Sequence, residues 1–158
     1  MVAVADTAAP HIVLVALDAG REGDLSGLLE VAAQMAADRR VRIVILEYTF
    51  VRLHQDMDGD RDEIPTTSLA VLRSARAAEH RYGVGVSTLA QHTRSPADTI
   101  LAEASRIRAD MIVLAMETRR TGVGRSAVEF AARLLEEAPC RVSFLYSHNS
   151  DARQRRNR

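Results

Sequence analysis

The chain has 158 residues, 47% of them hydrophobic and 27% charged. That is enough for one domain with a sizeable core, and it is not a disordered composition. The formal net charge is zero, which speaks against a general nucleic-acid or membrane-surface binder.

The first element is the near-continuous apolar run His11-Ile12-Val13-Leu14-Val15-Ala16-Leu17, ending at Asp18-Ala19-Gly20. A strand buried on both faces reads this way in a central parallel sheet. Leu25, Leu28, Leu29, Ala32, Met35 and Ala36 then recur at helical spacing as far as Asp38-Arg39-Arg40. A second strand covers Val41 to Leu46, with Tyr48 and Phe50 beyond it. Val51 to Pro65 is a polar loop, after which Leu69, Leu72, Ala75, Ala78 and Tyr82 predict a helix starting near Thr66 or Thr67 and stopped by Gly83.

Val84 to His92 alternates weakly and reads as an outer strand. Ser95-Pro96 then predicts a helix start, with Ser95 capping, Pro at the first helical position and Asp98 in the first turn. Ala97, Leu101, Ala104 and Ile107 are expected to face the core. Met111 to Met116 is the next strand and Ser126 to Glu137 the last helix, stopped by Ala138-Pro139. A final strand carries Val142, Phe144 and Tyr146 on one face. The expected organisation is a flexible stretch 1–10, one domain over 11–147 and a flexible Arg-rich tail 148–158. Alternating strands and helices imply a parallel sheet covered on both faces.

ADMIVLAMETRRTG followed by EEAPCRVSFLY resembles the end of a universal stress protein domain, where ADLIVMG, a glycine-rich loop, a helix and APCPVLVV follow one another. SPADTILAEASRIRADMIVLA is similar to the family's helix after its third strand. IVLVALDAG resembles its first strand, which ends in Asp. The likeness runs over residues 11 to 147. It implies an open five-stranded parallel α/β sheet of order 3-2-1-4-5 with helices on both faces, Rossmann-like and of the adenine nucleotide alpha hydrolase type. Winding reverses between the first and fourth strands in that order, and ligands bind beyond the carboxyl ends at such a reversal. The resemblance therefore implies candidate nucleotide contacts at Asp18, Leu46, Met116, Thr118, Arg119, Gly122, Gly124, Arg125 and Ser126. Asp18 is also readable as a strand-end residue capping the next loop, and Gly122 and Gly124 as turn glycines.

ATP-binding members carry G-x-x-G-x9-G-[ST] after the fourth strand, where close backbone and a hydroxyl hold the phosphates. Here Glu117 and Arg120 stand at the first two glycine positions. Counting back from Ala138-Pro139-Cys140 through a loop about two residues shorter puts Val128-Glu129 at the last pair. The added side chains narrow the approach, and Glu117 and Glu129 repel a polyphosphate. Arg119, Arg120 and Arg125 attract one. Ser126-Ala127-Val128-Glu129 reads independently as a capping box. MgATP held in the family manner is not expected, while an adenine nucleotide, ATP or AMP, bound weakly stays open.

Other patterns carry less. Asp56, Asp58, Asp60, Asp62 and Glu63 do not follow the calcium-loop order and read as a solvated loop. The five histidines lack i, i+3 or i+4 pairing, so no metal is expected. Cys140, the single cysteine, reads as a small buried thiol, excludes an internal disulfide and fits a reducing cytoplasm. No apolar run approaches the roughly 20 residues that span a bilayer, and the first residues lack the pattern of a signal peptide. No nucleic-acid or membrane partner is expected, and the Arg-rich tail reads as a terminus rather than a nucleic-acid arm. The expected role is a cytoplasmic stress-response regulator acting by binding. A slow ATPase, or a ligand-sensing module for a transporter or kinase, is the alternative. The last strand is a sheet edge without charge or Pro between Val142 and Ser147. A homodimer through Val142, Phe144, Leu145 and Tyr146 is therefore expected, beside a protein partner the sequence does not identify.

Overall fold

The computed structural model describes residues 10–35, 40–51, 64–118 and 125–148. The strands are β1 (His11–Asp18), β2 (Val41–Phe50), β3 (Gly85–Thr93), β4 (Met111–Thr118) and β5 (Arg141–His148). The helices are α1 (Leu25–Gln34), α2 (Leu69–Tyr82), α3 (Pro96–Arg106) and α4 (Arg125–Glu137). All strand pairs are parallel, and the sheet order is β3-β2-β1-β4-β5. Right-handed crossovers place successive helices on one face until the winding reverses and on the other face afterwards.

Two cores result. Val13, Val15, Leu17, Ile43, Ile45 and Val113 meet α1 and α2 through Leu25, Leu28, Leu29, Ala32, Val71, Ala75 and Ala78. Leu14, Ala16, Val44, Leu46, Ile112 and Leu114 meet α3 and α4 through Ala97, Ile100, Ala104 and Leu134. Odd and even residues of β1 thus serve opposite cores, as the two-residue strand period requires.

Several local expectations change. α2 starts at Leu69 rather than Thr66 or Thr67, because Ser68 is its cap: the Ser68 hydroxyl accepts the Val71 amide at 3.3 Å. Leu69 and Leu72 are 61% and 44% exposed. The buried stripe of α2 keeps the expected Ala75 and Ala78 but is completed by Val71 rather than Leu69 and Leu72, since this helix packs chiefly on α1 and the edge strand β3. Ser95 caps α3 by position but its side chain makes no cap bond. Its hydroxyl donates to Asp98 and, with Arg133 of α4, holds that carboxyl below its ordinary range. Leu101 and Ile107 pack on the core as expected, partly buried, and Ile100 is the fully buried large residue of α3. α4 begins at Arg125, so Ser126 lies inside its first turn and is not the cap of a capping box. Ala36 and the acidic stretch 52–63 lie outside the described residues.

Candidate functional site

The sheet forks where the winding reverses. β1 and β4 pair from Val13↔Met111 to Ala16↔Leu114. β1 then continues beside β2 to Asp18↔Tyr48, and β4 continues beside β5 to Thr118↔His148. The two strands therefore part over their last residues, and a crevice opens at their carboxyl ends.

The β1 side of the crevice ends in a tight turn. The Arg21 amide donates to the Asp18 carbonyl at 3.0 Å, and the Ala19 amide donates to the Tyr48 carbonyl at 2.8 Å. Gly20 sits at the third turn position with φ +88°, the left-handed value a type II turn demands there and glycine adopts freely. A 3₁₀ turn, Glu22–Asp24, follows. Arg21 is held by Asp24 at 2.8 Å, so its guanidinium stays beside Asp18.

Asp18 and Tyr48 form the electrostatic centre of this side. Partial burial raises the Asp18 carboxyl above its ordinary value, and Arg21 opposes the rise. Burial first and the Asp18 charge second push the Tyr48 phenol up to about 12, again against Arg21. The pair thus offers one carboxylate acceptor and one phenol that remains a donor through neutral pH. That suits a ligand edge carrying both a donor and an acceptor.

Behind this pair, Glu47 is only 5% exposed, and its Oε2 accepts the Ser68 amide at 2.9 Å. A buried carboxylate needs such a partner; here it ties the end of β2 to the start of α2. Neither Glu47 nor Tyr48 was expected in the site. The signal was available: a glutamate directly after the apolar run Ile43 to Leu46 must find a buried partner.

The expected contacts divide into groups. Asp18 is exposed at the mouth. Leu46, one step deeper than Tyr48, is fully buried in the α3 and α4 core, and Met116 is 6% exposed. Leu46 lies below the mouth, as floor, while Met116, two residues past the last β1–β4 pair, stands level with Asp18 on the other strand of the fork. Thr118 ends β4, and Arg125 and Ser126 open α4, which places all three at the carboxyl edge. Arg119, Gly122 and Gly124 lie outside the described residues.

The universal stress protein family model matches residues 10–152. The chain belongs to the universal stress protein family. No curated protein matches it significantly. Among solved structures, it is similar to a universal stress protein family member from Burkholderia pseudomallei at 28% identity, covering 85% of this chain and 94% of that one, TM-score 0.51. The universal stress protein UspA from Lactobacillus plantarum shares the fold with TM-score 0.61 at 17% identity, over 87% and 99% of the two chains. A universal stress protein family protein from Arabidopsis thaliana, solved with AMP bound, is 19% identical over 90% and 95%, TM-score 0.55. Membership makes this chain a stress-response protein of the universal stress class. No helix among the described residues is long and apolar enough to cross a membrane.

Proposed function

We propose that this protein acts by binding rather than turnover, and that it holds an adenine nucleotide of the monophosphate class in the crevice between β1 and β4. The fork beyond Ala16↔Leu114, with Asp18 and Tyr48 on one lip, is the observation that carries this reading. The AMP in the Arabidopsis structure of like fold is consistent with it.

MgATP is not cradled as in signature-bearing members. Glu117 and Arg120 occupy the glycine positions. Val128 and Glu129, at the Gly-Ser position, fall four and five residues into α4, where the amides are entering the helical ladder and no longer face a ligand. The first-turn amides of α4 still favour one phosphate. One phosphate needs fewer close backbone contacts than three. The test is to denature protein purified without added nucleotide and weigh the released small molecules by mass spectrometry. AMP or a related monophosphate is expected, and stoichiometric ATP would defeat the proposal.

The reading includes a homodimer across the β5 edge. Tyr146 is 61% exposed, while Val142 and Phe144 are half-buried on the α4 face. Leu145 packs inward on the α1 core, so it supports the edge rather than meeting a partner. A two-fold contact would repeat Tyr146 on both chains.

A further inference from the structure

At the opposite edge of the sheet, no described residue adds a strand outside β3, which is set between two cavities. Its outward groups follow from two hydrogen bonds. The Val86 amide donates to Glu79 Oε1 at 3.1 Å, away from β2, whereas the Thr93 carbonyl accepts the Val51 amide, toward β2. In a parallel pair each residue directs its amide and carbonyl to one side and the next residue to the other. Thr88, Ala90 and His92 therefore turn their backbone groups outward with Val86, and the described residues supply partners only for Val86.

The cavities lie on either face of β3 over Val86 to Leu89 and share Ser87 and Thr88. One, of about 440 Å³, runs beneath α2 between the exposed Leu69 and Leu72, with Arg73 and Arg76 on its rim. The other, of about 350 Å³, lies beneath α3, with Arg42 and Arg106 on its rim. Two acids touch these cavities and both are engaged. Glu79 caps the Val86 amide. Glu103, 4% exposed, is gripped by Arg106 through two oxygens, with Nε at 3.1 and 3.0 Å. With Arg106 spent on Glu103, Arg42, Arg73 and Arg76 stand against Glu79 alone and leave the rims positive.

We propose that the β3 edge binds an extended acidic peptide with alternating aliphatic residues, which adds a sixth strand outside Thr88 to His92. Main-chain bonds would use the outward amides and carbonyls. The two-residue period would send aliphatic side chains under Leu69 and Leu72 and acidic ones toward Arg42. Arg73 and Arg76 favour the same charge from above.

The probe is fluorescein-labelled Glu-Val-Asp-Val-Glu-Leu-Asp, blocked at its C-terminus and titrated by anisotropy with the full chain. A lysine and arginine peptide of the same pattern and a block-ordered acidic peptide of the same composition are the controls. Saturable binding to the first peptide alone is expected, with amide shift changes centred on Thr88 to His92 in nitrogen-15 spectra. The double variant Arg73→Glu and Arg76→Glu, both exposed on α2, should weaken binding at least about tenfold, and Leu72→Asp should weaken it without affecting nucleotide. Equal binding of either control peptide, no binding at millimolar peptide, or shifts centred on β5 would overturn the proposal. So would the same Thr88 to His92 shifts growing with protein concentration alone, because the occupant would then be a second copy.

Discussion

Gly27 of α1 faces β5, and a β-carbon built there would lie 3.1 Å from Leu145 Cδ2. A relaxed carbon contact is about 3.5–4.0 Å. Gly27→Val adds that carbon and two more beyond it. The change gains about 0.4 kcal/mol of helix propensity, but overpacking a fitted contact costs about 1–3 kcal/mol. A net loss of about 1.5 kcal/mol is expected, which at a typical urea slope of about 2 kcal/mol per molar moves the unfolding midpoint down by about 0.7 M. Leu145→Ala removes the opposing methyl groups. In that background Gly27→Val should cost nearly nothing, a coupling of about 1–2 kcal/mol in the double-mutant cycle. Urea unfolding at one fixed protein concentration reads all four proteins. Equal costs of Gly27→Val in both backgrounds would refute the Leu145 contact as the cause, and with it the inward placement of Leu145.

Three further outcomes are expected. Ser68→Ala removes the α2 cap and should lower stability by about 1 kcal/mol in urea unfolding; no change would mean that Glu47 alone holds the helix start. Tyr48 titrates at about 12 in the folded protein, above its unfolded value near 10, so its contribution is whole below pH 10 and is lost as pH rises toward 12. At pH 11 the loss is about 1.4 kcal/mol, to be seen as a difference in alkaline stability between wild type and Tyr48→Phe, and reduced in Asp18→Asn; identical alkaline slopes would exclude it. Tyr146→Lys should convert the expected dimer to a folded monomer in light scattering, and a dimeric variant or a monomeric wild type would remove the β5 interface.

The strands were legible because burial on both faces writes itself as continuous apolar runs, as in His11 to Leu17 and Met111 to Met116. Asp18 was legible as the polar residue ending the first of them. The helix faces were less so. Leu69 and Leu72 satisfy helical spacing, yet α2 covers an edge strand, and its buried stripe is completed by Val71 instead. Glu47 is a buried acid whose partner, the Ser68 amide, follows from how α2 docks on the sheet, whereas Glu103 and Arg106 stand at i, i+3 on α3, a pairing that helical spacing already contains. Tyr48 joined the site because β2 runs level with β1 to Asp18↔Tyr48, a register that one strand's sequence does not contain.

The central claim is that the fork holds a nucleoside monophosphate through the Asp18 lip and gains nothing from further phosphates. Calorimetric titration of nucleotide-free protein with AMP and, separately, with MgATP tests it most directly. Saturable AMP binding is predicted, lost in Asp18→Ala and not exceeded by MgATP. Binding of MgATP at least about tenfold tighter than AMP, a gain of about 1.4 kcal/mol, or AMP binding untouched by Asp18→Ala, would contradict it.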